Sequence, residues 1–247
     1  MMLLTWILVF SVLGSVGAIA GAASLLVFPD ETRKRLLPHL VSYATGTLLG
    51  AAFLGMIPNS MTQVAPFAAS ATVLAGILLF FFLEKIVIWR HCHGTQCEVQ
   101  GAAGPLVLIG DAFHNFIDGF VIASAFLTSV PLGIAASFAV IAHEIPQEVG
   151  DFAILLDNGY TTKWALFLNL LSSLSTLPGA VIAYFFLAQT QAAVPFILAI
   201  SAASFIYIAV ADLVPTLHRE IGIRPAVIQF FLILAGIATI AVFSVAH

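Results

Sequence analysis

Two stretches concentrate side chains that could do chemistry: Asp111-Ala-Phe-His114-Asn115-Phe-Ile-Asp118-Gly and His143-Glu144-Ile-Pro146-Gln147-Glu148-Val-Gly-Asp151. Residues three and four apart share one face of a helix, so Asp111, His114, Asn115 and Asp118 form a single polar stripe. The second stretch repeats the spacing, with His143 and Gln147 four apart and Glu144 and Glu148 four apart. Imidazole, carboxylate and amide oxygen, with no thiolate among them, suit Zn²⁺ and borderline ions such as Fe²⁺, Mn²⁺ or Cd²⁺. A polar network that merely glued two helices would leave the five carboxylates of these stretches largely uncompensated. A divalent cation offsets that charge where neutral hydrogen bonds do not. The two stretches, with His114, Asn115, Asp118, His143, Glu144, Gln147 and Glu148 among their polar side chains, therefore read as a candidate metal site. Pro146 cannot donate to the carbonyl of Ala142, which weakens the helix beside the ligands and frees an oxygen to line a cavity.

The elements that must position these residues are set by composition. With 61% hydrophobic and 8% charged residues in 247, and a mean hydropathy of +1.11, the chain is too apolar for a soluble domain and reads as an integral membrane protein in contact with lipid. Apolar runs of about 20 residues fall near 3–28, 41–58, 66–89, 105–128, 132–156, 164–187, 194–214 and 226–246. They predict an all-α polytopic protein with eight transmembrane helices in one domain, residues 1–247. The breaks between runs carry Pro29, Pro38, Asn59, Pro66, Pro105, Pro131, Gly159, Pro195 and Pro225. Both chemical stretches then lie at membrane depth, where ionisable groups mark function.

Assigning loops alternately to two sides puts Arg33, Lys34, Arg35, Lys85, Arg90, Lys163, Arg219 and Arg224 on one side, and these are all eight Lys and Arg of the chain. The positive-inside bias makes that side cytoplasmic and places both termini outside the cytoplasm. The plasma (inner) membrane is the expected location. No basic run exceeds Arg33–Arg35, which excludes a nucleic-acid partner. The two cysteines, Cys92 and Cys97, share one polar loop, so no disulfide framework exists. The loop His91–Glu98 reads equally as a soft metal-binding patch or a polar connector. A homodimer is an expected assembly.

At its two polar stretches the chain resembles the ZIP family of zinc and iron transporters, in the branch with H-N-F-x-D-G on the fourth helix and H-E-x-P-x-E-x-G-D on the fifth. Gly46-Thr-Leu-Leu-Gly-Ala-Ala-Phe-Leu-Gly-Met-Ile-Pro58 and Ser204-Phe-Ile-Tyr-Ile-Ala-Val-Ala-Asp212-Leu-Val-Pro215 extend the resemblance over nearly the whole chain. It implies a divalent-metal transporter without a catalytic cofactor, in which Zn²⁺ is bound and carried toward the cytoplasm. It also implies an inverted 3+2+3 arrangement, with the first three and last three helices related and the middle pair carrying the ions. By the same resemblance His114, Asp118, His143 and Gln147 hold a first ion. Asn115 and Glu144 hold a second, bridged by Asp118 and Gln147. Gln147 stands where the family usually has His or Glu, so the second position is expected to be weak.

The rival reading is a membrane-embedded zinc-dependent hydrolase, because His143-Glu144 begins like H-E-x-x-H. The second His is missing, Pro146 interrupts the helix, and neither Gly-x-Ser-x-Gly nor a phosphate-binding loop is present. The chain is not expected to be an enzyme.

Overall fold

A backbone crossing hydrocarbon must satisfy its N–H and C=O groups within its own segment, which a helix does. The computed structural model, which describes residues 2–91 and 103–245, is accordingly all-helical among those residues. In order the elements are α1 (Met2–Leu26), α2 (Asp30–Gly50), a π-helical turn (Ala51–Met56), α3 (Ile57–Gln63), α4 (Pro66–His91), α5 (Ala103–Thr128), α6 (Val130–Asp157), α7 (Thr162–Ser173), α8 (Thr176–Gln189), a short 3₁₀ turn (Gln191–Ala193), α9 (Val194–Tyr207), a second π-helical turn (Ile208–Leu213), α10 (Val214–Leu217) and α11 (Ile223–Val245).

Seven stretches are long and apolar enough to cross a membrane: Met2–Leu26, Glu31–Gln63, Pro66–Leu83, Val107–Thr128, Thr162–Gln189, Gln191–Leu217 and Ile223–Val242. α6 is not among the seven, because the candidate metal residues themselves lower its apolarity. Two other expectations change. The run placed at 41–58 starts at Asp30, with Pro38 inside α2 rather than at a break. The carbonyl that Pro38 leaves without its helical donor belongs to Lys34, which is exposed, so solvent can take it up. The run 164–187 is divided into α7 and α8 by a turn at Leu174–Ser175.

Both π turns end one residue before an Ile-Pro or Val-Pro pair. Pro58 and Pro215 each lack the N–H of a regular turn, and a wider turn just before them makes room for the ring. The residue after each proline then returns a side-chain bond to a backbone carbonyl four residues back. Asn59 Nδ2 donates to Gly55 (2.9 Å) and Thr216 Oγ1 to Asp212 (3.0 Å).

Packing sorts the helices into two groups. α1, α5, α6, α7 and α8 pack chiefly on one another, as do α2, α3, α4, α9 and α11, and the groups meet where α6 crosses α2 and α5 crosses α9. The tightest crossing in each group is built on glycine. A Cβ on Gly119 or Gly179 would overlap the backbone carbonyl of Thr176 or Phe116, locking α5 to α8. A Cβ on Gly46 or Gly236 would overlap that of Ile233 or Tyr43, locking α2 to α11. Without a hydrophobic drive between helices in lipid, such close backbone approach is the main source of association.

Candidate metal centre

His114 lies near the middle of α5 and His143 near the middle of α6, two helices that pack directly on each other. Each polar stripe follows from helical spacing, and the pairing of α5 with α6 turns the stripes together. Ser129 starts α6 by accepting a bond from the backbone N–H of Leu132 (3.3 Å), with Pro131 in the first turn. This start sets how far along α6 His143 and Glu144 fall.

Four potential ligand atoms converge. His114 Nε2 is 3.1 Å from His143 Nε2, 3.2 Å from Glu144 Oε1 and 3.7 Å from Asp118 Oδ2. His143 Nε2 is 3.3 Å from Asp118 Oδ2 and 3.5 Å from Glu144 Oε1. A tetrahedral Zn²⁺ with bonds of about 2.0–2.1 Å requires ligand atoms roughly 3.3 Å apart. The five separations, 3.1 to 3.7 Å, are close to the edges of such a tetrahedron, and all four atoms lie within 4.8 Å of one another. His143 Nδ1 donates to the carbonyl of Ala139 at 2.9 Å, since a carbonyl can only accept. In the neutral ring this leaves the Nε2 lone pair facing the cluster, the arrangement that orients a metal-binding histidine. The edge of Phe205 from α9 backs the same ring, with centroids 6.0 Å apart.

Asp118 and Glu144 are fully buried and neither has a hydrogen-bond donor on either oxygen. Leaving buried acceptors unpaired is costly, and a cation at this point offsets that cost.

A second group shares Glu144. Ligand atoms of Asp111, Glu144 and Glu148 lie within 4.8 Å of one another, all three residues are buried, and both oxygens of Glu148 lack a donor. The resemblance assigns the second ion instead to Asn115, Glu144, Asp118 and Gln147. In the structure Asn115 Oδ1 accepts from Thr176 Oγ1 (3.0 Å) while its Nδ2 donates to Asp111 Oδ1 (2.9 Å). Gln147 Nε2 also leans on Asp111 Oδ1, at 3.4 Å. The two amides thus brace Asp111, and Asp111 stands where a carboxylate of the second group is needed. Sequence reasoning placed Asp111 on the polar stripe but outside the ligand set; its spacing of four from Asn115 was the available signal. Thr176 gave none. Asn169 on α7 is buried and donates to the carbonyl of Glu148 (3.2 Å), closing the site from that side.

A cavity of about 410 Å³ reaches the site, lined by Asp111, His114, Gln147, Asp151 and Asp212 among others. Asp212, from the second π-helical turn, is on its wall. Of the other lining positions, Val107 lies near the start of α5 and Leu213 and Thr216 near the end of the stretch from α9 to α10, toward the helix ends that neighbour Lys163 and Arg219. The cavity therefore opens on the side that carries the basic residues. Leu48, Met56, Ile122, Phe126, Val140 and Phe205 belong to one buried apolar cluster. The loop residues 92–98, with both cysteines, lie outside the described residues.

Comparison with known proteins places this geometry. The sequence profile described as ZIP zinc transporter matches residues 89–244. Zinc transporter ZIP13 of Pongo abelii is 32% identical over 264 residues, covering 97% of this chain and 79% of that protein. The zinc transporter ZIP13 homolog of Drosophila melanogaster is 30% identical, covering 95% of this chain and 88% of that protein. Zinc transporter ZIP10 of Danio rerio is 38% identical over 138 residues, or 53% of this chain and 16% of that protein. These relatives are transporters, not enzymes. The position where a zinc hydrolase motif would need its second His is Gln147, engaged with Asp111.

Proposed function

Since the chain belongs to the ZIP zinc transporter family and so moves divalent metal across a membrane, we propose that Zn²⁺ is its principal cargo, with Fe²⁺, Mn²⁺ and Cd²⁺ as competitors, and that the ion travels toward the cytoplasm. The observation that carries this reading is the tetrahedral spacing of His114, Asp118, His143 and Glu144 in a cluster whose buried carboxylate oxygens have no donor. Two imidazoles and two carboxylates favour Zn²⁺ over the hard ions Mg²⁺ and Ca²⁺, which take all-oxygen shells. Asp111, Glu144 and Glu148 form a second, all-oxygen station on the cavity side. Glu144 belongs to both and passes the ion from one to the other, while Asn115 and Gln147 hold Asp111 in place.

The reading extends to the architecture. α6 is an eighth transmembrane helix: its 28 residues give about 42 Å at 1.5 Å per residue, more than the ~30 Å of hydrocarbon. Its polar middle turns to the site rather than to lipid. Residues 1–247 form one transporter domain, with both termini outside the cytoplasm and the plasma (inner) membrane as its location. The matched π turns before Pro58 and Pro215, each with its side-chain bond four residues back, support the inverted 3+2+3 repeat, because they lie on helices that run oppositely through the membrane. With the basic side in the cytoplasm, the cavity is an inward exit and the buried apolar cluster that includes Phe126 and Phe205 a closed outer gate.

The test is uptake into vesicles containing the pure protein. Zn²⁺ should enter, Cd²⁺, Fe²⁺ and Mn²⁺ should compete, and Mg²⁺ should not. H114A and H143A should each lose far more than the roughly 10–100-fold typical of a residue that only orients a ligand, with normal membrane expression. Wild-type uptake by both variants overturns the assignment.

A further inference from the structure

On the side of the protein that carries the Lys and Arg, a second hollow of about 310 Å³ lies between the first turns of α2 and the start of α11, away from the metal centre. Arg35 and His39 line it from α2, Arg224, Ile228 and Gln229 from α11, and Glu220 from the turn before α11. Three of these polar groups are already engaged. His39 Nδ1 donates to the carbonyl of Arg35 at 2.6 Å. Gln229 Nε2 donates to Glu220 Oε2 at 3.3 Å, which holds the one carboxylate of the hollow. The guanidiniums of Arg35 and Arg224 have no ion-pair partner among the described residues. Two guanidiniums against one hydrogen-bonded carboxylate leave an excess of positive charge, and the fork of a guanidinium matches two oxygens of a phosphate.

Beside the hollow, starting from Arg224, α11 carries an exposed apolar track. Three, seven and ten residues after Arg224, on the same face of α11, stand Val227, Phe231 and Leu234, which are 45%, 63% and 43% exposed. A free phosphate has no use for such a track, whereas a lipid places its headgroup in a basic pocket between helices and its chains along the apolar face below. We propose that the hollow binds an anionic phospholipid, with its phosphate held by Arg35 and Arg224 and an acyl chain lying along Val227, Phe231 and Leu234. The lipid joins the basic ends of α2 and α11, the two helices that Gly46 and Gly236 lock together deeper in the membrane.

The full chain, taken up from vesicles of phosphatidylcholine with phosphatidylglycerol, is examined for retained lipid by native mass spectrometry. The wild type should retain phosphatidylglycerol in preference to phosphatidylcholine. In R35Q/R224Q its association should weaken roughly thirtyfold, on about 1 kcal/mol for each basic residue beside an anionic headgroup. R35K/R224K, which keeps the charge, should retain most of it, so a loss through misfolding is distinguished from a loss of charge. Zinc uptake in pure phosphatidylcholine should be alike in wild type and R35Q/R224Q, since neither arginine touches the metal centre. Equal retention of both lipids by the wild type, or undiminished retention by R35Q/R224Q, overturns the proposal. Displacement of the lipid by millimolar inorganic phosphate also overturns it, by making the hollow a site for the free ion.

Discussion

Gln147 is the neutral member of the set that the resemblance gives to the first ion, and its surroundings say what a charge there would do. It lines the cavity and donates weakly to Asp111 Oδ1. In Q147E that donor becomes another carboxylate facing Asp111, a repulsion that a bound cation removes. Purified Q147E should therefore hold more zinc per chain than the wild type by elemental analysis, and should release it more slowly into vesicles. Two fully occupied zinc ions in the unmodified chain at micromolar zinc would show that the neutral amide is not what weakens the second position. The sequence groups His114, Asp118, His143 and Gln147 around the first ion, and four-residue spacing pairs His114 with Asp118 on α5, but in the structure Glu144 rather than Gln147 is the fourth residue of that cluster. The bond from Thr176 to Asn115 and the meeting of Asp111 with Glu148 depend on how α5, α6 and α8 are rotated about one another. No local pattern encodes that rotation.

Elements are held here by backbone contact more than by side-chain bulk. Gly46 and Gly236 each approach the backbone of the facing helix so closely that a single methyl has nowhere to go. G46A should destabilise the protein by about 1–3 kcal/mol, as overpacking does, and lower its thermal midpoint in detergent. Gly17 is the internal control, because a Cβ there meets nothing within 4 Å. G17A should be neutral or slightly stabilising through helix propensity. Equal midpoints for the two variants would remove the glycine crossing from the account. The same scale shows why element boundaries were only partly legible. Most breaks carry Pro or Gly, yet Pro38 sits within a helix because the carbonyl it orphans belongs to exposed Lys34, where solvent can satisfy it. The turn between α7 and α8 was missed because Ser172–Ser175 interrupts an apolar run without Pro or Gly. The π turns left only the two X-Pro pairs as a trace.

At the scale of the molecule, the direction of transport rests on which side the basic residues face. The cavity opens on that side, so one orientation makes it an exit to the cytoplasm and the reverse makes it an outward entrance. Charge sorting favours the first, since all eight Lys and Arg fall together under an eight-helix count and a miscounted helix would have scattered them. Cys92 and Cys97 follow Arg90 in the same loop and are the only thiols in the chain, so the native protein carries its own probe. In sealed, right-side-out cells an impermeant maleimide should leave both unlabelled until the membrane is permeabilised. A cysteine introduced at Thr190, in the connection after α8 and on the opposite side by the same count, should react in intact cells. If instead the native thiols react at full rate in intact cells and T190C does not, the orientation is reversed, and the cavity at the metal centre is an entrance.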